Sequence, residues 1–356
     1  MNILLLSPYD AVSHQYWRTR LEADLIASFV ATVVTVTLPA RFFSWRFRGN
    51  SLTLAHDGRL QQSFDLIVAT SMTDLSALKG MAPQLAMVPT VLYFHENQFA
   101  YPDANQSHQL ERQMTSIYSA VSADRLVFNS RFNMESFLQG LDQLLKKMPD
   151  GVPAHLTESL SSKSRVISVP IDSPSYSEAH AVDARPSGDV LSLVWNHRWE
   201  YDKGLDELVQ LVGLLVESEL RFRFHLIGQQ FRNQPQQIDS VCELLGDALG
   251  VCGHIEQRQD YLQLLASSDM VLSTARQEFQ GIAVLEAVAA GCVPVVPDSL
   301  AYQEYIPRSQ RYGDLAGAVK LVREYVPALR GSIELPDSVK PARVQAEWQK
   351  LVAELV

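Results

Sequence analysis

Two carboxylates, Glu278 and Glu286, stand eight residues apart in a stretch with the ingredients for holding a phosphorylated sugar. The stretch runs Ser273-Thr274-Ala275-Arg276-Gln277-Glu278-Phe279-Gln280-Gly281-Ile282-Ala283-Val284-Leu285-Glu286-Ala287-Val288-Ala289-Ala290-Gly291-Cys292-Val293-Pro294-Val295-Val296. It reads as a strand end, a polar loop, a helix starting near Gly281, a stop at Gly291 and a buried strand. Ligands of open parallel sheets bind beyond the carboxyl ends of strands. That places Glu278, with Phe279, Gln280, Gly281 and Ile282, at a ligand crevice. The positive N-terminus of the following helix is a natural seat for a diphosphate. Glu286 sits among Ala283, Val284, Leu285, Ala287 and Val288, and a buried carboxylate needs hydrogen-bond partners. A pair of ribose hydroxyls would supply them. The plainer alternative is one capping glutamate and one satisfied core glutamate.

A second group is Val194-Trp195-Asn196-His197-Arg198-Trp199-Glu200-Tyr201-Asp202-Lys203-Gly204. Arg198 and Lys203 follow a strand, and two cations beyond a strand end suit a leaving nucleoside diphosphate. The alternative is a surface salt-bridge pair, worth little. A third is Leu92-Tyr93-Phe94-His95-Glu96-Asn97-Gln98, again at a strand end. A lone histidine there is ordinarily structural.

These residues need a scaffold that brings strand ends together. Short apolar runs alternate with helix-period segments. Strands are expected at Asn2–Leu6, Thr32–Leu38, Leu66–Ala69, Thr90–Phe94, Arg125–Phe128 and Val166–Val169. A second set is expected at Val190–Trp195, Phe222–Ile227, Met270–Ser273 and Cys292–Val296. Continuous apolar strands separated by helices imply parallel sheets buried on both faces, the doubly wound α/β pattern, here twice. The Pro- and Ser-containing stretch Val169–Gly188 reads as the linker. The expected domains are 1–172 and 173–340, with a terminal helix at 341–356 able to pack on either. The Asp57-Gly58 pair points to a small edge hairpin over Leu52–Leu60. Met148–Ser164 reads as a loop.

The chain has 356 residues, 47% apolar and 20% charged, enough for two sizeable cores. A formal charge of -10 excludes a global basic field for nucleic acid or anionic lipid, so a polyanion would have to meet a local patch. Three cysteines, Cys242, Cys252 and Cys292, show no metal-type spacing, and a reduced, cytoplasmic protein is expected. Met1–Leu6 has no basic leader and too short an apolar run for a signal peptide. No segment is long enough to span a membrane, although peripheral contact stays open.

The Glu278–Val296 stretch resembles the retaining, family-4-type glycosyltransferases of the GT-B fold, in which two Rossmann-like domains face a central cleft. The match is Glu278, Glu286, Gly291, Pro294, Val295 and Val296, and Arg198 with Lys203-Gly204 matches the family's Arg and Lys-Gly. The resemblance implies that Glu278 contacts the donor sugar, Glu286 the donor ribose, and Arg198 and Lys203 the diphosphate. His95 would face the sugar from the first domain. The implied catalytic set is His95, Glu278, Arg198 and Lys203. A nucleotide sugar is the donor substrate, with no cofactor and no metal; no Asp-x-Asp motif lies near the site.

The first domain looks more narrowly like the tRNA-queuosine mannosyltransferase group. The residues that carry this are Ser13-His14-Gln15, Trp17, Pro39–Arg48, Phe94–Pro102 (including Tyr101) and Phe128–Phe137. That resemblance implies GDP-mannose as donor and queuosine in tRNA as acceptor. It also implies acceptor contacts from His14, Trp17, Arg41, Trp45, Arg46, Arg48, Glu96, Asn97 and Gln98. One departure is the loop Ser7–His14, which lacks the Gly-Gly pair of many family-4 enzymes, so backbone approaches a ligand less closely there. The run Arg41–Arg48 holds three arginines and four aromatics. It suits an unpaired RNA loop, a half-buried edge with snorkelling arginines, or a lipid surface.

The expected reaction is retaining mannosyl transfer. The alternatives are a family-4 enzyme acting on a lipid or glycan, and a non-catalytic nucleotide-sugar or RNA-binding module. A nicotinamide dehydrogenase is disfavoured because no G-x-G-x-x-G follows the first strand. On sequence alone, Lys203→Ala is expected to abolish most transfer with the fold intact.

Overall fold

The computed structural model describes residues 1–100, 109–172, 190–229 and 235–356. The chain forms two units, Met1–Pro170 with Ala342–Val356, and Ile171–Pro341. Tyr101, Pro102 and most of the Val169–Gly188 linker lie outside the described residues.

The first unit holds β1 (Asn2–Asp10), β2 (Thr32–Pro39), β3 (Leu66–Thr70), β4 (Thr90–Phe94), β5 (Arg125–Phe128) and β6 (Ser164–Val166). They form one sheet in the order β2-β1-β3-β4-β5-β6, every pair parallel. The sequences Leu-Ile-Val-Ala-Thr and Thr-Val-Leu-Tyr-Phe of β3 and β4 are buried throughout, as strands covered on both faces must be. Leu4, Ile67, Leu92, Phe128 and Phe137 belong to the core so formed.

The second unit holds β7 (Leu191–Asn196), β8 (Phe222–Ile227), β9 (Leu249–Gly253), β10 (Met270–Leu272), β11 (Val293–Pro297) and β12 (Arg311–Tyr312). Their order is β12-β11-β10-β7-β8-β9, again parallel. The chain runs outward from β7 to β9, then returns to lay β10 on the other side of β7. The point where strand order reverses therefore lies between β7 and β10, the position where such sheets bind ligands.

Several expectations are corrected. Leu52–Leu60 is no hairpin: Phe43–Ala55 is helical, and Asp57 caps a short 3-10 helix, Gly58–Gln61, by accepting from the Arg59 N–H. Met148–Ser164 contains the helix Leu156–Ser162, and β6 begins two residues earlier than the expected Val166. Ser7–Asp10 continues β1, so only Ala11 separates that strand from the helix Val12–Phe29. Strands β9 and β12 were not expected: β9 contains two glycines and is partly exposed, and β12 has two residues. The terminal helix Pro341–Ala353 packs on the first unit, where Trp348 meets Trp17 and Tyr93. Among the described residues no helix is long and apolar enough to cross a membrane.

Candidate active site

Two loops leave the carboxyl ends of β7 and β10 and are fastened to each other. The Asp202 carbonyl accepts from the N–H groups of Arg276 and Gln277, at 2.9 and 3.0 Å. Thr274 Oγ1 donates to the Lys203 carbonyl at 2.9 Å and accepts from Trp195 Nε1 at 3.1 Å. Gly204 permits this approach: it has φ +68°, and a Cβ there would lie 1.9 Å from the Thr274 carbonyl oxygen. No L side chain fits such a position.

The clamp brings Lys203 onto Glu278. Lys203 Nζ lies 3.0 Å from Glu278 Oε2, 3.1 Å from Asp202 Oδ2 and 3.2 Å from the Gln277 carbonyl. All three charged side chains are largely buried. Burial would push the Glu278 carboxyl up, but the Lys203 ammonium, with His197 and hydrogen bonds from Lys203 and the Gly281 backbone, holds it below the usual carboxylate value. Burial likewise opposes the Lys203 charge, and Glu278 and Asp202 overcome it, raising its pKa. Arg198 sits at the rim, 3.0 Å from Glu200 and 3.9 Å from Asp202. Two cations and two carboxylates, Arg198, Lys203, Asp202 and Glu278, thus meet at the β7–β10 switch point. Beside them lies His197, which no spacing in the sequence marks out. Its ring is buried, Nε2 has no hydrogen-bond partner, and burial followed by the Lys203 charge pushes its pKa down to about 3.

The helix Ile282–Ala289 starts on Gly281, at φ +81°, where a Cβ would approach the Tyr302 ring to 2.8 Å. The first turn of any helix leaves N–H groups outside its own ladder, directed out of its N-terminus. Phe279, Gln280 and Gly281 are buried in the turn that leads there, and Ile282 is half-buried. Glu286, within the helix, is nearly buried, and its partners are protein groups. Arg258 Nη2 donates to Oε1, and Tyr261 Oη donates to Oε2 at 2.9 Å. Asn196 at the end of β7 donates to Tyr261 Oη at 3.2 Å and to the Ala283 carbonyl at 2.8 Å. The partners that a buried Glu286 needs, expected from ribose hydroxyls, are already supplied by Arg258 and Tyr261 from the helix Arg258–Ser267. Nothing in the local pattern around Glu286 could have pointed to that helix.

In the first unit His95 follows β4. Its ring stacks on His14 at 4.1 Å and meets Trp17 and Tyr93 edge-on at 4.9 and 4.8 Å. The Tyr9 carbonyl fixes the His14 ring, accepting from Nδ1 at 2.7 Å. His95 Nε2 is buried without a hydrogen-bond partner. Burial, then the neighbouring His14, holds the imidazole well below its ordinary pKa, so it is neutral near pH 7. A neutral imidazole with an open nitrogen suits a sugar hydroxyl.

The expected acceptor residues divide. Trp17 is 1% exposed, stacked on Tyr93 at 4.3 Å, so its assignment to the acceptor is corrected to the core. Asn97 is likewise corrected. Its amide donates to Asn133 and Ser136, and its Oδ1 accepts from the Phe99 and Ala100 N–H groups, which ties the loop after β4. Gln98 is buried and Glu96 half-buried, its carbonyl accepting from Ser71. Arg48 is taken up by Glu111, Asp74 and Thr115 at 2.9, 3.3 and 2.8 Å. Arg41 and Trp45 are exposed, and Arg46 is half-buried. Among the described residues no cluster of three or more His, Cys, Asp or Glu is placed to hold a metal.

Comparison with known proteins accords with this geometry. Residues 2–171 match the model for the tRNA-queuosine alpha-mannosyltransferase N-terminal region, and 178–311 match glycosyl transferases group 1. The chain is 31% identical over 322 residues to the tRNA-queuosine alpha-mannosyltransferase of Drosophila melanogaster, covering 87% of this chain and 83% of the relative. In fold it is similar to a UDP-forming trehalose-phosphate synthase from Burkholderia xenovorans, with TM-score 0.69, 14% identity and 99% and 98% of the two chains covered. A sucrose-phosphate synthase from Thermosynechococcus elongatus gives TM-score 0.68 and 16% identity, with 99% and 97% covered. Two parallel sheets of this order, a charged cluster at the second switch point and a match that runs through both units leave one assignment: the chain is a GT-B glycosyltransferase that belongs to the tRNA-queuosine alpha-mannosyltransferase family.

Proposed function

We propose that the protein transfers mannose from GDP-mannose to a hydroxyl of the queuosine cyclopentene ring in tRNA, with retention of anomeric configuration. The observation that carries the reading is the Lys203–Glu278 pair held at the β7–β10 switch point, in a chain whose first unit matches the queuosine-specific family model. The leaving diphosphate develops negative charge as the sugar–phosphate bond breaks towards an oxocarbenium-like state. Lys203, Arg198 and the N-terminus of the Ile282–Ala289 helix stabilise that charge in place, without reorganising at the moment of reaction. Glu278 faces the sugar, and Glu286 accepts from the ribose hydroxyls while Tyr261 and Arg258 orient it. Neutral His95 accepts from a sugar hydroxyl through its open Nε2. The departing phosphate oxygen takes the acceptor proton, so no separate base is needed, and the chemistry runs without metal, in the cytoplasm where tRNA is found.

The test is transfer of radiolabelled sugar from a panel of GDP- and UDP-sugars to total tRNA from cells with and without queuosine. The reading expects label from GDP-mannose on queuosine-containing tRNA only. Equal labelling of both tRNA pools, or of neither, overturns it.

A further inference from the structure

The helix Phe43–Ala55 and the residue before it carry an exposed aromatic pair near the carboxyl end of β2. Phe42 is 71% exposed and Trp45 56%. The Trp45 ring lies flat on its own helix. A Cβ on Gly49, one turn on, would come within 2.8 Å of Trp45 Cε2 and Cζ2. One face of the indole therefore rests against the helix at Gly49 and the other is turned to solvent. Cations stand beside Phe42 and its neighbour Phe43: Arg41 Cζ is 5.7 Å from the Phe42 centroid and Arg112 Cζ is 5.5 Å from that of Phe43. Phe43 in turn packs edge-on against Tyr9 at 5.5 Å, and the Tyr9 carbonyl holds His14, which stacks on His95. The surface is thus joined to the His95 site, within one unit, through two ring contacts and the Tyr9 carbonyl.

We propose that Phe42 and Trp45 are a stacking platform for unpaired bases of the tRNA anticodon loop, with Arg41 against an adjoining phosphate. This rests on the tRNA acceptor proposed above. The occupant follows from the chemistry. In a chain of net charge -10, residues 41–48 contain no acid, and Arg41 and Arg46 stand outside the group that Arg48 forms with Glu111 and Asp74. Such a local basic strip recruits a polyanion, and flat exposed rings recruit unstacked bases, each of which has a π-face. A ring lying flat presents a face, whereas insertion into lipid requires a ring that projects from the surface. Arg48 is not part of the platform, because Glu111 and Asp74 occupy its guanidinium.

The test is fluorescence anisotropy of full-length protein with a labelled anticodon stem-loop lacking queuosine, and with a fully paired duplex of the same length. Trp45→Ala and Phe42→Ala are each expected to weaken loop binding about tenfold, a stacked base's usual contribution, with the duplex unaffected. Trp45→Phe keeps a ring and is expected to stay within about threefold of the unsubstituted protein. Gly49→Ala retains Trp45 but displaces its ring, and is expected to weaken loop binding in the same direction. Thermal unfolding confirms that each variant is folded. Loop affinity unchanged in both alanine variants, or equal losses for loop and duplex, overturns the proposal. So does Trp45-dependent binding to phosphatidylserine vesicles without any effect on RNA. Transfer to queuosine-containing tRNA is measured alongside: Trp45-dependent loop binding without transfer supports the platform and removes the functional reading instead.

Discussion

Replacing Lys203 by alanine removes a buried cation that touches two carboxylates, Glu278 at 3.0 Å and Asp202 at 3.1 Å. At an effective dielectric of about 20, each contact is worth about 5 kcal/mol before desolvation is subtracted. Breaking a buried pair by deleting one partner costs about 3–5 kcal/mol, because a charge is left without compensation. Lys203→Ala therefore does not leave the fold untouched, contrary to the expectation from sequence. For a unit the size of Ile171–Pro341 the loss corresponds to a fall in Tm of roughly 10 °C near pH 7.5. The pH dependence carries the diagnosis. In the native protein Glu278 has a lowered pKa, so its contribution is full above the unfolded carboxylate value and lost as pH falls through the folded value. Without Lys203, burial dominates and raises the Glu278 pKa. Its contribution is then present at low pH and lost as pH rises through that value. The gap in Tm between the two proteins should widen from about pH 4.5 to about pH 7.5. Adding Glu278→Gln to the variant should recover part of the gap. Differential scanning calorimetry across pH reads this directly. A gap under about 2 °C at pH 7.5, or one that does not change with pH, refutes the reasoning.

Gly204→Ala should cost about 3 kcal/mol or more in urea unfolding, from positive φ together with the 1.9 Å approach to the Thr274 carbonyl; a loss under about 1 kcal/mol contradicts the clamp. His95 stays neutral in the folded protein where the unfolded chain takes up protons below about pH 6.5, so its contribution is full above that pH and falls on acidification. His95→Phe should therefore flatten the fall of Tm between about pH 6.5 and 5, and should lower kcat/KM about tenfold by losing one hydrogen bond; an unchanged slope argues against a buried neutral ring. Glu286→Gln keeps an acceptor for Tyr261 and removes the negative charge opposite the half-exposed Arg258. Stability should shift by less than about 1 kcal/mol while the donor KM rises several-fold, and an unchanged donor KM in initial-rate assays removes Glu286 from the ribose.

What could be read from the residues followed from continuity and punctuation. Buried runs such as Leu66–Thr70 and Thr90–Phe94 announce parallel strands because no polar alternation interrupts them, and Gly281 and Gly291 bracket their helix because each adopts positive φ. The cations and carboxylates of the second unit were legible because each follows a strand end. The failures share a cause in distance along the chain. Trp17 looked like a ligand contact because Trp348, which covers it from the terminal helix, cannot be paired with it by any local pattern. Arg258 and Tyr261 reach Glu286 from a separate helix. The Asp57-Gly58 turn signal was real but served a short 3-10 helix rather than a hairpin, since the residues before it pack Phe47 and Leu54 into the core as a helix. Lys203 was visible as a cation, but its burial between two carboxylates was not, and that burial changes what its removal does.

The most direct measurement is a crystal structure of the protein with GDP bound. The account predicts the diphosphate within hydrogen-bond distance of Lys203 and Arg198 at the N-terminus of the Ile282–Ala289 helix, with the ribose hydroxyls on Glu286. GDP bound elsewhere, with Lys203 still closed on Glu278 and Asp202 and Glu286 still held by Arg258 and Tyr261, would contradict it.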